Sequence, residues 1–310
     1  MDKPGGNLLY AAAGLGLWES HAGLAARVGE DFPQAWLGKA NSHGFDTDGV
    51  HIEQQALDLR RFIAYSDIDT CQMDNPISHF TRLDMAFPRA LLGYANPAPA
   101  VDSRSLPLPY TIYASQIPPE YLNATAAHIC PLDYLSHQVL PAAFKKGQIS
   151  TLTLDPSPGY MNPAFWGEAR TIFKGLTAVH CSEKKMRALF KGRSADLWEM
   201  AEEVAAQQVE FVIIKRGSLG QFLYINDSRQ RWHIPAYPAR PVDPTGAGDA
   251  FCGGFLADYR DSYDPLQAAL HGNISASFTI EGSGPFYPLD TLPGLAAARL
   301  ESIRKMVIKV

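Results

Sequence analysis

Short apolar runs recur at regular intervals through the second half of the chain, at 126–130 (AAHIC), 151–154 (TLTL), 177–180 (TAVH) and 211–214 (FVII). Segments of helical character lie between them, at 133–146, 162–173 and 183–208. Apolar strands separated by helices predict βαβ crossovers and a parallel sheet covered on both faces. Two further strands, 221–226 and 230–235, read as a hairpin turning at Asn226 and Asp227. Helices are then predicted from about Gly248, over roughly 264–280, and after Pro293. The first half is less regular. Residues 7–17 (NLLYAAAGLGL) predict a helix opened by Asn7, 22–28 a short buried strand, and 32–43 a helix closed by Gly44. Strands are predicted at 50–54 and 61–65. Residues 66–109, rich in Asp and Pro, fit a lid, an insertion or a loosely packed loop. With no repeat and no flexible linker, the expectation is one domain over 1–310, with 46–110 as a lid region within it.

In open parallel sheets ligands bind beyond the carboxyl ends of the strands. The positions to search are therefore Asp155, Ser182 with Glu183, and Lys215 to Gly220, each just past an apolar run.

The richest chemistry lies in PVDPTGAGDAFCGGF, residues 241–255. Thr245-Gly246-Ala247-Gly248-Asp249 is a glycine-rich turn running into a helix. Such a turn aims successive N–H groups at one point, and the helix start adds about half a positive charge. Together they suit a phosphate group with no cationic side chain required. Asp249, in the first helical turn, would repel a phosphate that was merely bound. It makes sense if its carboxylate takes a proton from a hydroxyl attacking that phosphate, a contribution of about 10²–10⁴-fold. Local sequence alone leaves open that Asp249 only caps the helix.

Asp243, Thr245, Gly246, Ala247, Gly248, Asp249, Phe251, Gly253 and Gly254 resemble the second signature of the PfkB/ribokinase family of carbohydrate kinases. The resemblance implies a ribokinase-like three-layer α/β/α sandwich with a mostly parallel central sheet and a small β lid. It implies Asp249 as catalytic base and Gly246, Ala247 and Gly248 as the anion hole. Gly5-Gly6-Asn7, with ARVGED at 26–31, resembles the first signature and implies acceptor binding by these three residues. An ordinary turn before an Asn-capped helix is the plain alternative. Lys215 to Gly220 resembles the nucleotide-side turn, giving Lys215, Gly217 and Gly220 as ATP contacts, although the family more often has an uncharged residue at 215. Residues 271–285 resemble the adenine side, with Asn273 and Gly284 as candidates, and Asp243 and Thr245 join the nucleotide set. The implied cofactors are ATP and Mg²⁺, with a monovalent cation such as K⁺ beside Asp243 and Thr245 as in some relatives. A sugar or nucleoside-like acceptor is implied, and a homodimer through lid strands is compatible with the family.

Two departures stand out. The family carries a central strand and a sugar-binding Asp ahead of the Gly-Gly signature, whereas here only 1–4 precede it. The chain is then either an incomplete version of a longer protein or lacks that strand, which would leave two unpaired sheet edges. The family's Asn-x-x-Glu motif, which organises magnesium, reads Ser182-Glu183-Lys184-Lys185. Glu183 and Asp155 are the remaining metal-side candidates. These departures keep a non-catalytic nucleotide- or metabolite-binding protein of the same fold as the alternative.

Composition excludes other classes. Apolar residues make up 46% of the chain, and the formal net charge is −5 with no basic block. A dedicated nucleic-acid or anionic-membrane binder is not expected. Four widely spaced cysteines suggest neither a zinc ribbon nor a disulfide framework. With no signal-peptide pattern and no run of about 18 apolar residues, a cytoplasmic protein is the expectation.

Overall fold

A computed structural model describes residues 3–19, 21–73, 76–95 and 102–310. The expected lid region 46–110 is thus described except for 74, 75 and 96–101, which lie outside the described residues. The first half contains α1 (Asn7–Gly16), β1 (Ala22–Gly29), α2 (Gln34–Ser42), β2 (Phe45–Glu53), β3 (Ala64–Tyr65), β4 (Cys71–Gln72) and α3 (Pro76–Arg82). Then come β5 (Ala126–Ile129), α4 (Tyr134–Phe144), β6 (Thr151–Leu154), α5 (Trp166–Phe173), β7 (Ala178–Ser182), α6 (Glu183–Leu189) and α7 (Leu197–Ala205). They are followed by β8 (Phe211–Lys215), β9 (Gln221–Ile225), β10 (Gln230–Ile234), α8 (Ala247–Ser262), α9 (Pro265–Thr279), α10 (Leu295–Arg304) and β11 (Ile308–Lys309).

Seven strands form the central sheet in the order β11-β10-β9-β8-β7-β6-β5. Strands β5 to β8 run parallel, and β8 to β11 alternate antiparallel. Strand alternation divides the apolar runs between two helical layers. Val179, Cys181, Val212 and Ile214 join the core shared with α4 to α7. Ala178, Phe211, Ile213 and Leu223 join the core shared with α8 to α10. Because both faces are covered, these runs are apolar throughout instead of alternating. The result is the expected α/β/α sandwich.

Strands β1 and β2 pair in parallel in a sheet of their own, and β3 and β4 form a separate antiparallel hairpin. Among the described residues, β1 pairs only with β2, and β5 ends the seven-stranded sheet. Helix α1 packs against α8 through glycines. A β-carbon on Gly253 would lie 1.8 Å from the Ala11 carbonyl oxygen, and one on Gly14 would lie 2.0 Å from that of Ala250. Among the described residues, no helix is long and apolar enough to cross a membrane.

Several elements differ from expectation. Residues 183–208 form two helices, because Gly192 adopts a left-handed φ of 80° and Asp196 caps a new helix through the N–H groups of Trp198 and Glu199. The strand expected at 61–65 shrinks to Ala64–Tyr65. Strand β11, two exposed residues long, carries no apolar signal strong enough to predict it.

Candidate active site

The glycine turn and α8 meet the carboxyl end of the sheet. Gly246 caps α8 in the left-handed region, φ 77°, which favours glycine. There is no room for a side chain either, since a β-carbon on it would lie 2.0 Å from Cγ of Tyr10. Ala247, Gly248 and Asp249 open the helix; the Ala247 N–H donates to the Pro244 carbonyl at 3.3 Å and the Asp249 N–H to the Gly246 carbonyl at 3.1 Å, while among the described residues no backbone group accepts from the Gly246 or Gly248 N–H. Asp243 steadies the approach: its carboxylate accepts from Thr245 N–H at 3.1 Å and from Ser283 Oγ at 2.7 Å. The Ile280 carbonyl accepts from the N–H groups of Val242 and Asp243, tying this loop to the end of α9.

Two aspartates, Asp155 and Asp249, and two lysines, Lys185 and Lys215, interact at this end of the sheet. Asp155, at the carboxyl end of β6, is 3% exposed and bonds both Lys185 and Lys215, the latter at 2.7 Å. Burial pushes its pKa up, but the two ammonium groups outweigh that and hold the carboxyl well below the usual range. Lys215 Nζ donates to Asp155 Oδ2, to the Gly248 carbonyl at 2.8 Å and to Cys252 Sγ at 3.2 Å. An ammonium has three donors, so Lys215 has none left for a phosphate. Burial opposes its charge, but Asp155, Cys252 and Asp249 together raise its pKa. Lys185 Nζ donates to Asp155 Oδ1 and to the Pro156 carbonyl.

Asp249 titrates differently. Burial pushes its pKa up, Lys215 pulls it down, and Asp155 adds to the rise, leaving it at about 7. The two aspartates thus have pKa values driven far apart by their surroundings, a pattern that separates a titrating group from a structural one.

The other sequence candidates divide between two sides of this charged cluster. Gly6 enters α1 at φ 95°, a conformation that favours glycine, and Asn7 Nδ2 donates to the Pro131 carbonyl just past β5. Gly5, Gly6 and Asn7 are exposed at that end of the sheet. Gly284 lies with this group, its backbone hydrogen-bonded to Tyr10. On the other side, Gly217 and Gly220 take φ 58° and 81° in the turn after β8. Asn273 is buried, with its amide spent on the Tyr237 N–H, the Pro235 carbonyl and Gln221. It fastens α9 to the segment after β10.

Sequence reading missed four contributors. Tyr10 packs on Gly246, and burial together with Asp243 and Asp249 drives its phenol pKa far up. Tyr65, in β3, hydrogen-bonds the Thr245 side chain. Asp69, at the tip of the β3–β4 hairpin, accepts from Ser218 N–H at 3.0 Å and from Ser218 Oγ at 2.5 Å. The hairpin therefore reaches from the turn at 245–249 to the turn at 217–220. Lys185, the fourth, stands in the motif that departs from the family. Tyr10 falls within the helix expected at 7–17, but no local signal reports a contact across so many residues.

The candidate metal-side carboxylates do not fit a divalent cation. Both Asp155 oxygens are taken by ammonium groups, and Glu183 is paired with Arg216 at 2.9 Å and Arg187 at 2.7 Å. Among the described residues, no cluster of three or more His, Cys, Asp or Glu could hold a metal ion.

The sequence pattern of the pfkB family carbohydrate kinases matches residues 135–292, just over half of the chain. The chain belongs to the PfkB family. A cytidine kinase of Thermococcus kodakarensis is 28% identical over 261 residues, covering 84% of this chain and 81% of that protein. The nucleoside kinase of Burkholderia thailandensis, solved with inosine, superposes with a TM-score of 0.69 at 19% identity, covering 96% of this chain and 85% of that one. Aminoimidazole riboside kinase of Salmonella enterica, solved with its riboside and an ATP analogue, gives 0.63 at 14% identity, with coverage of 97% and 93%. The two solved structures share the ribokinase-like sandwich. As a PfkB protein, the chain is a phosphotransferase of the class that acts on alcohol groups.

Proposed function

We propose that this PfkB protein transfers the γ-phosphoryl group of ATP to a hydroxyl of a nucleoside or sugar, with Asp249 as general base. The observation that carries the reading is Asp249 itself. It is a carboxylate held near neutrality, at about 7, in the first turn of a helix whose capping glycine adopts a left-handed φ. A base whose pKa lies near the working pH is ionised often enough to accept a proton and still basic enough to take it.

The remaining roles follow from position. The N–H groups of Gly246 and Gly248 face the moving phosphoryl group and stabilise its charge, with that of Ala247, held at 3.3 Å by the Pro244 carbonyl, beside them. Lys215 orients this turn through the Gly248 carbonyl rather than touching phosphate. The turn at 217–220 takes the nucleotide. Gly5, Gly6 and Asn7 receive the acceptor, with Tyr10 behind them, so that its hydroxyl meets Asp249 in line with the phosphorus. The similarity to a cytidine kinase favours a nucleoside among acceptors.

The test is ATP turnover over a panel of nucleosides and sugars, comparing wild type with Asp249→Asn. Loss of at least about 10²-fold in kcat is expected, with ATP affinity nearly unchanged. Saturable ATP binding with no transfer to any acceptor would instead support a non-catalytic binding protein.

A further inference from the structure

The Ser182–Lys185 departure gains a physical meaning once side chains are placed. The charge that develops on a transferring phosphoryl group needs a positive partner. Neither Asp155 nor Glu183 is free to fix a divalent cation for that purpose, since each carries two basic side chains. Lys215 has spent its three donors on Asp155, Gly248 and Cys252. Lys185 has not. Among the described residues its ammonium donates to Asp155 Oδ1 and the Pro156 carbonyl, which leaves one N–H unspent. Its side chain is 13% exposed, so that N–H retains an outlet from the buried pair. It lies near enough to Asp249 to lower that group's pKa, on the same side of the sheet end as the catalytic turn.

We propose that Lys185 is a phosphate-binding residue of this kinase, donating its third N–H to the nucleotide and supplying positive charge that the chain's own carboxylates do not recruit as metal. Asp155 then serves as the anchor that fixes the lysine's position. A divalent cation reaches the site on the nucleotide's phosphates, not on Asp155 or Glu183. The inference rests on the ATP-dependent reading above and adds a residue and a charge assignment to it.

Three measurements test it on the whole chain. First, Mn²⁺ is titrated into the protein without nucleotide and followed by electron paramagnetic resonance. The free-ion signal should persist at every protein concentration, and uptake abolished by Asp155→Asn or Glu183→Gln would overturn the proposal. Second, ATP binding is measured by calorimetry in EDTA and in Mg²⁺ for wild type and Lys185→Met. The lost charged hydrogen bond should weaken binding in EDTA by about 10–100-fold. Equal affinity in a folded Lys185→Met variant would overturn it. Third, wild type is labelled with a lysine-acylating reagent and mapped by mass spectrometry, which needs no variant to fold. ATP in EDTA should slow acylation of Lys185 relative to the exposed neighbour Lys184, and unchanged labelling of Lys185 would overturn the proposal. Failure of wild type to bind ATP under any condition would sink the kinase reading and this proposal together. Intact binding that ignores Lys185 would sink this proposal alone.

Discussion

Tyr10 and Gly246 touch so closely that any β-carbon at 246 would lie 2.0 Å from Cγ of the tyrosine ring and within 2.4 Å of both Cδ atoms. The contact joins the first glycine signature to the second across the α1–α8 interface. Gly246→Ala therefore faces two penalties, a left-handed backbone and a collision with a buried ring. We expect a loss of stability of about 2–4 kcal/mol and a fall in kcat of more than tenfold. Tyr10→Ala in the Gly246→Ala background should recover part of the stability, because it removes the collision while the backbone strain stays. Denaturant unfolding of the two single variants and the double variant measures this coupling. Additive losses would show that the ring does not confine the turn.

The pH profile of turnover follows from Asp249. A general base works in its ionised form, so kcat/KM should be flat above about pH 8 and fall below an apparent pKa near 7. Lys215 lowers that pKa by its charge. Lys215→Met should move the acid limb toward higher pH, beyond any overall loss of rate. A limb that stayed in place while the rate fell would show that Lys215 acts on the turn's shape alone.

Three buried histidines make stability depend on pH. Burial lowers the pKa of His128 to about 3 and of His137 to about 4, and drives that of His180 far down. In the unfolded chain each takes a proton near pH 6.5, whereas in the fold it stays neutral. The unfolded state thus binds more protons as pH falls. Stability is fully present above about pH 6.5 and is lost as pH drops toward 4. Among the described residues both ring nitrogens of His180 lack partners, and the ring is wedged against Phe251 and Phe255. His180→Leu should flatten the dependence of unfolding free energy on pH by up to ~1.4 kcal/mol per pH unit between 6 and 4. An unchanged slope would mean that His180 is not held neutral.

Local patterns in the sequence went far toward the sheet. The runs at 151–154 and 211–214 became β6 and β8 almost without change, because a strand buried on both faces must be apolar along its whole length. The turn at 245–249 was equally legible, since Gly246 takes a left-handed φ of 77° that other residues do not meet cheaply. Less was readable at 183–208, where one helical pattern hid a left-handed glycine and a fresh Asp cap. The residues 66–109 gave no period at all. Their hairpin is held by Tyr65 on Thr245 and Asp69 on Ser218, contacts that join distant parts of the chain and leave no local trace.

By itself, then, the sequence determined the layered sheet, the position of the glycine turn at 245–249 and the candidacy of Asp249, all of which depend on residues within a few places of one another. Only the tertiary structure decided what each charge does. Asp155, Glu183, Lys185 and Lys215 have similar standing on paper. Yet among the described residues one carboxylate is neutralised by two ammonium groups, another is paired with two arginines, one lysine is spent and one keeps an unspent N–H. Pairing of that kind is set by distances between strand ends and helix starts, which folding fixes and local pattern does not encode.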